Sequence, residues 1–355
     1  MSRTVSPALT NEFEILTATR VDEVGEEAWD RLSAGRPFQS ARWYRYGERV
    51  MADCPSVYII LSRNAQPVAR ATFWLVRAEP LPVSNFVRSL IYPVLRRWPL
   101  LICRSPLSNS SGLILPEGPD REKALRVIAG AAYQELRRLG GSFVLFDYLY
   151  DDQTKWAGWP AGFKPMGVTG PGTRLALQWK SFNDYLRSNP KFRIHQHFRR
   201  SSQEAADLGI RVTRHINFDA EFATTLELIH NVERKHDSSP NPWAAGMLEY
   251  MQMVESTWLT AHIRDRLVGC MLLLVDNGVQ IACLPGLTED VPFAYFMLLY
   301  EAIQDAIAKD LTALHWGSGA YETKRRLGFE LEYTNNFVYR GNGLIPGLIA
   351  RLAGS

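Results

Sequence analysis

Two stretches of the chain share one pattern of apolar and polar positions. Val57–Val76 and Trp258–Val275 each contain a β-rich run, a short polar turn and a longer apolar run, and they align without a gap. This pattern is typical of a hairpin whose second strand lies inside a sheet. The sequence therefore predicts the same β-hairpin twice.

Each hairpin is followed by a long helical pattern and then by a short apolar strand. The first pair is Arg121–Leu139 and Phe143–Tyr148, and the second is Phe293–Lys309 and Ala313–Trp316. Apolar residues recur at helical spacing in the second helix, which predicts a buried stripe. The repeated order indicates an α/β fold (α+β, mixed sheets) in two tandem copies. An α/β protein with two unrelated halves is the alternative.

The copies are separated by residues 150–173, a stretch rich in proline and glycine that cannot sustain regular structure. We therefore predict an N-terminal domain at residues 12–166, a C-terminal domain at residues 167–340 and a tail at residues 341–355. Prolines within residues 79–110 predict a loop-rich insertion in the first copy.

The second copy opens with a predicted strand and two predicted helices. The strand is Arg174–Trp179, the first helix is Phe182–Ser188, and the second, which is basic, is Pro190–Leu208. A strand at Ile210–Arg214 and a helix that starts at Phe218 follow.

Composition limits the class of protein. With 355 residues, 46% of them apolar, the chain can form two domains with sizeable cores. A net charge of +3 does not demand non-specific attraction to nucleic acid. The four cysteines have no CxxC spacing and the N-terminus lacks the apolar core of a secretory signal. We therefore predict a reduced, cytoplasmic protein.

The segment Phe86–Cys103 is apolar, but arginines and prolines interrupt it. Charged residues inside a membrane span are costly, which argues against a transmembrane helix here. We expect an insertion packed against the body of the protein. A peripheral contact with a membrane surface is the less favoured alternative.

Signatures of common catalytic sites are missing from the sequence. It contains no P-loop, dinucleotide-binding glycine loop, HExxH motif or GxSxG nucleophile elbow. This removes the main support for kinase, dehydrogenase, zincin and serine-hydrolase functions. His195 and His197 form an HxH pair, but residues two apart on a helix point to different faces, so we predict no metal site.

The most informative stretch is residues 315–330, where a strand ends in a glycine-rich turn and a short helix begins. The turn is Gly317-Ser318-Gly319, and Tyr321 and Lys324 share one face of the helix that follows. Backbone amides of the turn, the helix N-terminus and Lys324 would together hold an anionic group. A strand crossover with a solvated Lys-Arg-Arg face is the alternative.

A second group of cationic residues lies on the basic helix. Arg193, His197 and Arg200 recur at helical spacing, with Lys191 and Arg199 beside them. This face would suit a phosphate-bearing donor or acceptor, such as a tRNA acceptor end, carrier-bound phosphopantetheine or a nucleotide-linked precursor. The alternative is a solvated face without a ligand.

Ionisable side chains end the apolar stripe of the next predicted helix. Glu233 and His236 continue the spacing of the apolar residues before them. Such a stripe often reaches a cleft, so Glu233 and His236 are candidate general bases, and Asp147 at the end of a first-copy strand is a third. Stabilisation of the helix C-terminus by cationic side chains is the alternative.

Several of these motifs resemble those of one family. The motifs are Lys324 followed by Leu327-Gly328-Phe329, Pro37-Phe38-Gln39-Ser40 followed by Trp43, and the basic helix followed later by Lys235-His236. They resemble the Fem-like transferases and their BioF2-like relatives. The resemblance implies two tandem acetyltransferase-like (GNAT) domains, each a mixed sheet flanked by helices. It also implies an enzyme that forms amides, and it makes Trp43 a candidate substrate contact.

The resemblance implies a direct attack of a primary amine on an activated acyl or aminoacyl group, without a covalent enzyme intermediate. Lys324 and Arg200 would orient anionic parts of the substrates, and Tyr321 would protonate the leaving group. No tightly bound cofactor is expected. The donor would be aminoacyl-tRNA, acyl-CoA or an acyl-carrier protein, and the acceptor an amine-bearing peptide, amino sugar or small metabolite.

The residues that precede the two long helices depart from the pattern of acetyl-CoA-using enzymes. Leu115–Asp120 and Leu284–Asp290 lack a glycine-rich pyrophosphate loop, and their acidic residues would repel a pyrophosphate. We therefore do not expect ordinary acetyl-CoA binding, and we predict transfer of an activated acyl or aminoacyl group. Transfer from acyl-CoA or a carrier protein, and a non-catalytic binding protein on the same fold, are the alternatives.

Overall fold

The computed structural model describes residues 3–4, 12–77, 92–93, 95–167, 170–188, 193–218, 222–334 and 336–342. The chain divides into two compact units. The first unit takes in the described residues up to 170 together with 333–342, and the second takes in the described residues of 171–332.

The first unit contains a mixed sheet in the order β1-β2-β3-β4-β5-β7-β16-β8, in which β6 pairs with β4. Its strands are β1 (Arg3–Thr4), β2 (Glu14–Ala18), β3 (Ser56–Arg63), β4 (Gln66–Val76), β5 (Leu100–Cys103), β6 (Leu113–Ile114), β7 (Phe143–Leu149), β8 (Lys164–Gly167) and β16 (Asn336–Gly341). Its helices are α1 (Glu26–Ser33), α2 (Ala41–Val50), α3 (Asp120–Arg138) and α4 (Asp151–Thr154).

The core of the first unit lies between α3 and the sheet. Ala124, Ile128 and Ala132 of α3 are buried against strand residues such as Phe73 and Phe146. Removal of this apolar surface from water is the main stabilising contribution. The small alanines let the helix approach the strands closely.

The second unit contains a mixed sheet in the order β10-β11-β12-β13-β14-β9-β15. Its strands are β9 (Gly172–Ala176), β10 (Ile210–His215), β11 (Glu255–Ile263), β12 (Arg266–Asp276), β13 (Val279–Leu287), β14 (Ala313–Trp316) and β15 (Glu330–Glu332). Its helices are α5 (Phe182–Ser188), α6 (Ile194–Asp207), α7 (Phe222–Lys235), α8 (Ala244–Glu249), α9 (Pro292–Ala308) and α10 (Tyr321–Arg326).

Helix α9 is the central helix of the second unit. Leu298, Ala302 and Ile303 are buried against the sheet, while Tyr300 is buried among the residues of α5 and α6. The helix is therefore covered on more than one side, which explains why its sequence is apolar almost all round. Helix α7 packs near β13, where Gly286 leaves room for the backbone of Ile229.

The two predicted hairpins are confirmed, and their pairing registers correspond. Leu61 pairs with Ala69 in the first hairpin and Ala261 with Gly269 in the second, and each register shifts directly after that pair. A shared irregularity at the same place is strong support for a duplicated fold. The two tandem mixed α/β sheets predicted from the sequence are therefore confirmed.

Two strands depart from the sequence analysis. β5 lies within residues 79–110, which were expected to be a loop-rich insertion, yet all four of its residues are buried and it is parallel to β7. β13, whose last residues belong to the run that precedes the second long helix, was not predicted as a strand. The prolines within residues 79–110 were the reason for the loop prediction there. Pro285, inside β13, coincides with an irregularity in the pairing.

The final strand also departs from the predicted domain limits. β16 begins within residues 167–340, the predicted C-terminal domain, but it pairs with β7 and β8 of the first sheet. The helix expected from Phe218 is described over Phe222–Lys235, and residues 219–221 lie outside the described residues. Residues 78–91, Lys191 and the predicted apolar tail at 344–352 lie outside the described residues.

Candidate functional site

The glycine-rich turn and short helix predicted at residues 315–330 are present. β14 ends at Trp316, and α10 begins after Gly319 and Ala320, which have positive φ angles of 88° and 48°. Phe329 stacks on Trp316 with ring centroids 4.3 Å apart. Phe329, which follows α10, is buried in the core, and Lys324 of α10 is buried next to the turn.

Lys324 is a buried cation with an exposed fraction of only 6%. Its Nζ donates a hydrogen bond to the carbonyl oxygen of Gly317 at 2.5 Å. Among the described residues no carboxylate forms an ion pair with it. Burial lowers the pKa of Lys324 to about 8, because the charged form loses its hydration.

The predicted anion site at this turn takes a different form. The ammonium of Lys324 contacts a carbonyl of the turn, whereas Ser318 and Gly319 are exposed. Tyr321, on the same helix, donates its hydroxyl hydrogen to the carbonyl oxygen of Pro171 at 2.9 Å. Lys324 retains N–H groups for a further partner.

The cationic face of α6 lines a cavity of about 420 Å³ that we call the basic cavity. Its lining residues are Arg193, Gln196, His197, Arg200, Glu322, Arg325 and Arg326. The structure thus brings Arg193, His197 and Arg200 together, as their spacing predicted. It adds the arginines of α10, which sequence spacing alone could not connect with α6.

His197 is the half-buried member of the basic cavity. Its Nδ1 lies 2.7 Å from the hydroxyl oxygen of Tyr300. Burial lowers the pKa of His197, and the positive charges of Arg326 and Arg200 lower it further. His195 of the HxH pair is exposed, whereas His197 is half-buried, so the two imidazoles lie in different environments. The described residues contain no group of three His, Cys, Asp or Glu side chains that could hold a metal ion.

Glu233 is fixed by two hydrogen bonds near the end of α7. Its Oε1 accepts from the backbone N–H of Asn241 at 2.8 Å, and its Oε2 lies 2.6 Å from Nδ1 of His230. His236 is exposed and lies beyond the helix end, which does not match the partly buried base that we expected. Sequence reasoning missed His230, although its spacing of three from Glu233 is typical of a helical pair.

Two further predicted residues lie in the first unit. Trp43 is fully buried, and its indole N–H donates to the carbonyl oxygen of Pro106 at 2.8 Å. It therefore supports the core, and its expected role as a substrate contact has no support from this position. Asp147 is partly buried on β7, with one oxygen 4.0 Å from Nη1 of Arg104.

In each sheet two neighbouring parallel strands stop pairing before one of them ends. In the second unit the parallel pair β13–β14 ends at Ile281 and His315, whereas β13 continues to Leu287. In the first unit β5 and β7 stop pairing at Cys103 and Phe146, and β7 continues to Leu149. An opening between parallel strands leaves backbone groups available to a ligand.

A cavity of about 450 Å³ lies at the opening of the first unit, and we call it the first-unit cavity. Arg36, residues 113–118, Arg121, Leu149 and Trp156 contribute to its lining. Arg121 lies over the Trp156 ring at 4.6 Å, and its Nε is buried without a hydrogen-bond partner among the described residues. Sequence reasoning missed this cavity because its walls come from three separate segments of the chain.

The acidic residues before the two long helices carry ion pairs. Asp120 pairs with Arg63 at 2.7 Å, and Asp290 pairs with Arg266 at 2.8 Å. The guanidinium groups hold the pKa of both carboxyls below the usual range. Each negative charge is therefore offset by a neighbouring positive one, which weakens the expected repulsion of a pyrophosphate.

The four cysteines lie within the described residues and form no disulfide bond. Burial raises the pKa of the Cys270 thiol to about 12, so it remains a thiol at neutral pH. No helix in the described part of the chain is long and apolar enough to cross a membrane.

Comparison with known proteins shows where this architecture occurs. Residues 191–325 match a family model described as "Acetyltransferase (GNAT) domain". A search of curated proteins finds no match.

Several solved structures have the same fold over nearly the whole chain. A tandem GNAT protein from the clavulanic acid biosynthesis pathway has a TM-score of 0.58 at 11% identity and covers 94% of this chain and 99% of its own. FemX has a TM-score of 0.60 at 10% identity, with 93% and 98% covered. The C-terminal domain of a putative lysylphosphatidylglycerol synthetase from Agrobacterium fabrum has a TM-score of 0.52 at 11% identity, with 94% and 96% covered. Residues 191–325 therefore match the GNAT acetyltransferase domain, and the chain has the fold of a tandem GNAT protein and of FemX.

Proposed function

We propose that the chain is an N-acyltransferase that moves an activated acyl or aminoacyl group onto a primary amine. The observation that carries this proposal is Lys324, a buried ammonium without a carboxylate partner among the described residues. It lies beside Gly317, directly after the end of β14. The strands β13 and β14 are no longer paired at that end.

The chemistry requires no covalent enzyme intermediate. The nitrogen of the acceptor amine attacks the acyl carbon, the bond from that carbon to the donor oxygen or sulfur breaks, and the amine loses a proton. The unpaired edge of β13 offers backbone N–H groups for the developing oxyanion. Lys324, with N–H groups beyond the one that contacts Gly317, would bind an anionic part of the donor or the acceptor.

Glu233 and His230 are the proposed proton acceptor. The carboxylate orients the imidazole through Nδ1, which leaves Nε2 of His230 able to accept a proton. Asn231 of the same helix has its Nδ2 3.4 Å from the carbonyl oxygen of Leu287, so α7 approaches the unpaired part of β13. His236, Asp147 and Tyr321 remain candidates for proton transfer, and Arg193, His197 and Arg200 remain candidates for substrate binding.

The donor class has two candidates. Aminoacyl-tRNA is the donor that the resemblance to the Fem-like transferases implies. The first-unit cavity supplies a specific reason for a thioester donor that carries phosphates, because Arg36 and Arg121 lie beside the backbone of residues 113–118. Acyl-CoA and acyl-carrier protein are therefore retained as donors. The acceptor would be a peptide, an amino sugar, a lipid headgroup or a small metabolite that bears an amine.

An amide-forming assay tests this function. Purified protein is given matched panels of acyl-CoAs and aminoacyl-tRNAs with amines from cell extract, and products are identified by mass spectrometry. We expect Lys324→Met and Glu233→Gln to lower kcat/KM at least 100-fold, about 3 kcal/mol of barrier. The exposed Lys180→Met is the charge-matched control and should stay within about twofold.

The outcomes separate the alternatives. Product from acyl-CoA alone, together with loss of that product in Arg121→Gln but not in the exposed Arg126→Gln of the same helix, would assign the thioester donor. Product from aminoacyl-tRNA alone would assign aminoacyl transfer. If Lys324→Met and Glu233→Gln both stay within about threefold of wild type, the assignment of this site is wrong.

A further inference from the structure

The basic cavity holds more positive charge than its carboxylates offset. Glu322 pairs with Arg325 at 2.6 Å and with Arg326 at 3.1 Å. No described carboxylate forms an ion pair with Arg193 or Arg200, which line the same cavity. Cationic groups held this close repel one another, and a bound anion would offset that repulsion.

The N-terminus of α6 borders the same cavity. This helix has 14 residues, no acidic residue in its first turn and no side-chain cap at its N-terminus. Arg193 adopts a left-handed backbone conformation there, with φ of 50°. A non-glycine residue in this region carries backbone strain, and such residues cluster at ligand sites. The first-turn N–H groups and the helix dipole add to the positive potential of the arginines.

His197 makes the cavity sensitive to the charge inside it. From α9, Tyr300 contacts its Nδ1 and Phe296 packs against its ring. Arg193 and Arg200 of α6 and Glu322, Arg325 and Arg326 of α10 line the cavity with it. Burial raises the pKa of Tyr300, which is therefore neutral, so most charged groups around His197 are positive. A bound anion would reverse the local potential and favour the protonated imidazole.

We propose that the basic cavity binds a phosphate or pyrophosphate group of a phosphorylated ligand and that this binding protonates His197. The cavity of about 420 Å³ has the size of a small phosphorylated ligand. A nucleotide, phosphopantetheine and the end of an RNA strand share this chemistry. Binding of the phosphate group needs no catalysis. The further statement that the ligand is the donor or the acceptor of the reaction rests on the proposed function.

Calorimetric titration of the full chain with inorganic pyrophosphate at constant ionic strength tests the site. We expect Arg200→Gln and Arg326→Gln each to weaken binding about 10-fold, the effect of losing one charge-assisted hydrogen bond. Arg187→Gln removes an equal charge from an exposed position on α5 and should change binding less than about twofold. Equal weakening in all three variants, or binding no stronger than that of succinate, would overturn the proposal.

The proton is followed by NMR of the histidine ring resonances. His197→Gln identifies the His197 signal among those of the seven histidines. We expect saturating pyrophosphate to move the titration of His197 to higher pH. No displacement of the His197 titration would contradict the proton linkage.

Two further titrations distinguish the source of the phosphate. Tighter binding of adenosine diphosphate than of pyrophosphate would indicate a nucleotide ligand, and tighter binding of an eight-nucleotide single-stranded RNA would indicate an RNA end. A protein that transfers acyl groups but binds no pyrophosphate would overturn this site and leave the proposed function standing. Binding of pyrophosphate without acyl transfer would support this site and overturn the proposed function.

Discussion

Lys324 and the basic cavity place positive charge in two different environments of the second unit. The arginines of the cavity are exposed enough to remain hydrated, whereas the ammonium of Lys324 is buried and keeps one hydrogen bond to Gly317. A buried charge without a counter-ion destabilises the folded state. A lysine kept in such a position is therefore better explained by a ligand or substrate than by stability.

The cost of burying Lys324 can be measured. Its pKa falls from 10.5 to about 8 on folding, which corresponds to a penalty of about 3 kcal/mol. Because the folded state binds the proton less tightly than the unfolded state, the penalty is complete below pH 8 and disappears above 10.5. We expect Lys324→Met to raise the free energy of unfolding at pH 7 by up to about 3 kcal/mol while activity falls.

Urea denaturation at pH 7 and pH 10 provides the test for Lys324→Met. The gain in stability should be largest at pH 7 and should shrink at pH 10, where part of the unfolded lysine is already neutral. Lys180→Met, at an exposed position, should show no such dependence on pH. A Lys324→Met protein that is less stable than wild type at pH 7 would show that the ammonium stabilises the fold.

At the scale of elements, the buried carboxylate of Asp305 on α9 contacts side chains from three strands of its sheet. Asp305 is 3% exposed and has oxygens 2.9 Å from Nζ of Lys309 and 3.4 Å from Nη1 of Arg214. Thr257 and Gln280 also donate to it at 3.4 Å. Charges in such a network stabilise the fold only as long as every partner is present.

Asp305→Ala should therefore destabilise the protein strongly. The substitution leaves Lys309 and Arg214 partly buried without this partner, and we expect the free energy of unfolding to fall by about 3 kcal/mol. Denaturant titration measures the change. Glu289→Ala removes the same charge from an exposed position near the start of α9 and should change stability by less than about 0.5 kcal/mol. Similar values for both variants would mean that the network contributes little.

At the scale of the whole molecule, the chain is not two consecutive domains. After the second unit is complete, the chain returns to the first sheet, where β16 lies between β7 and β8. The first unit therefore needs residues from near both ends of the described chain. Its folding cannot be completed by the N-terminal half alone.

Tyr339→Pro tests this dependence. Proline cannot donate to a ladder and is not tolerated between two partner strands. Hydrogen–deuterium exchange should show lost protection in β7 and β8, which lie far from Tyr339 in the sequence, while β9 and β14 stay protected. Leu331→Pro, on the edge strand β15, is the control and should leave β7 unchanged. Lost protection confined to residues next to Tyr339 would contradict the proposed dependence.

The sequence alone determined the duplicated hairpins, the long helices and the short strands after them. Their signals are local, because periodicity of 2 or 3.6 records which side of one element is buried. Lys324 was also recognisable from its place after a glycine-rich turn. The resemblance carried by these motifs was sufficient to indicate the acyltransferase class.

Only the tertiary structure decided which distant residues meet. It joined the arginines of α6 and α10 in one cavity, placed His230 against Glu233 and returned β16 to the first sheet. It also showed that Trp43, expected to contact substrate, is buried in the core. Such results depend on packing between segments far apart in the chain, and no local pattern of apolar and polar residues encodes which partner each surface will find.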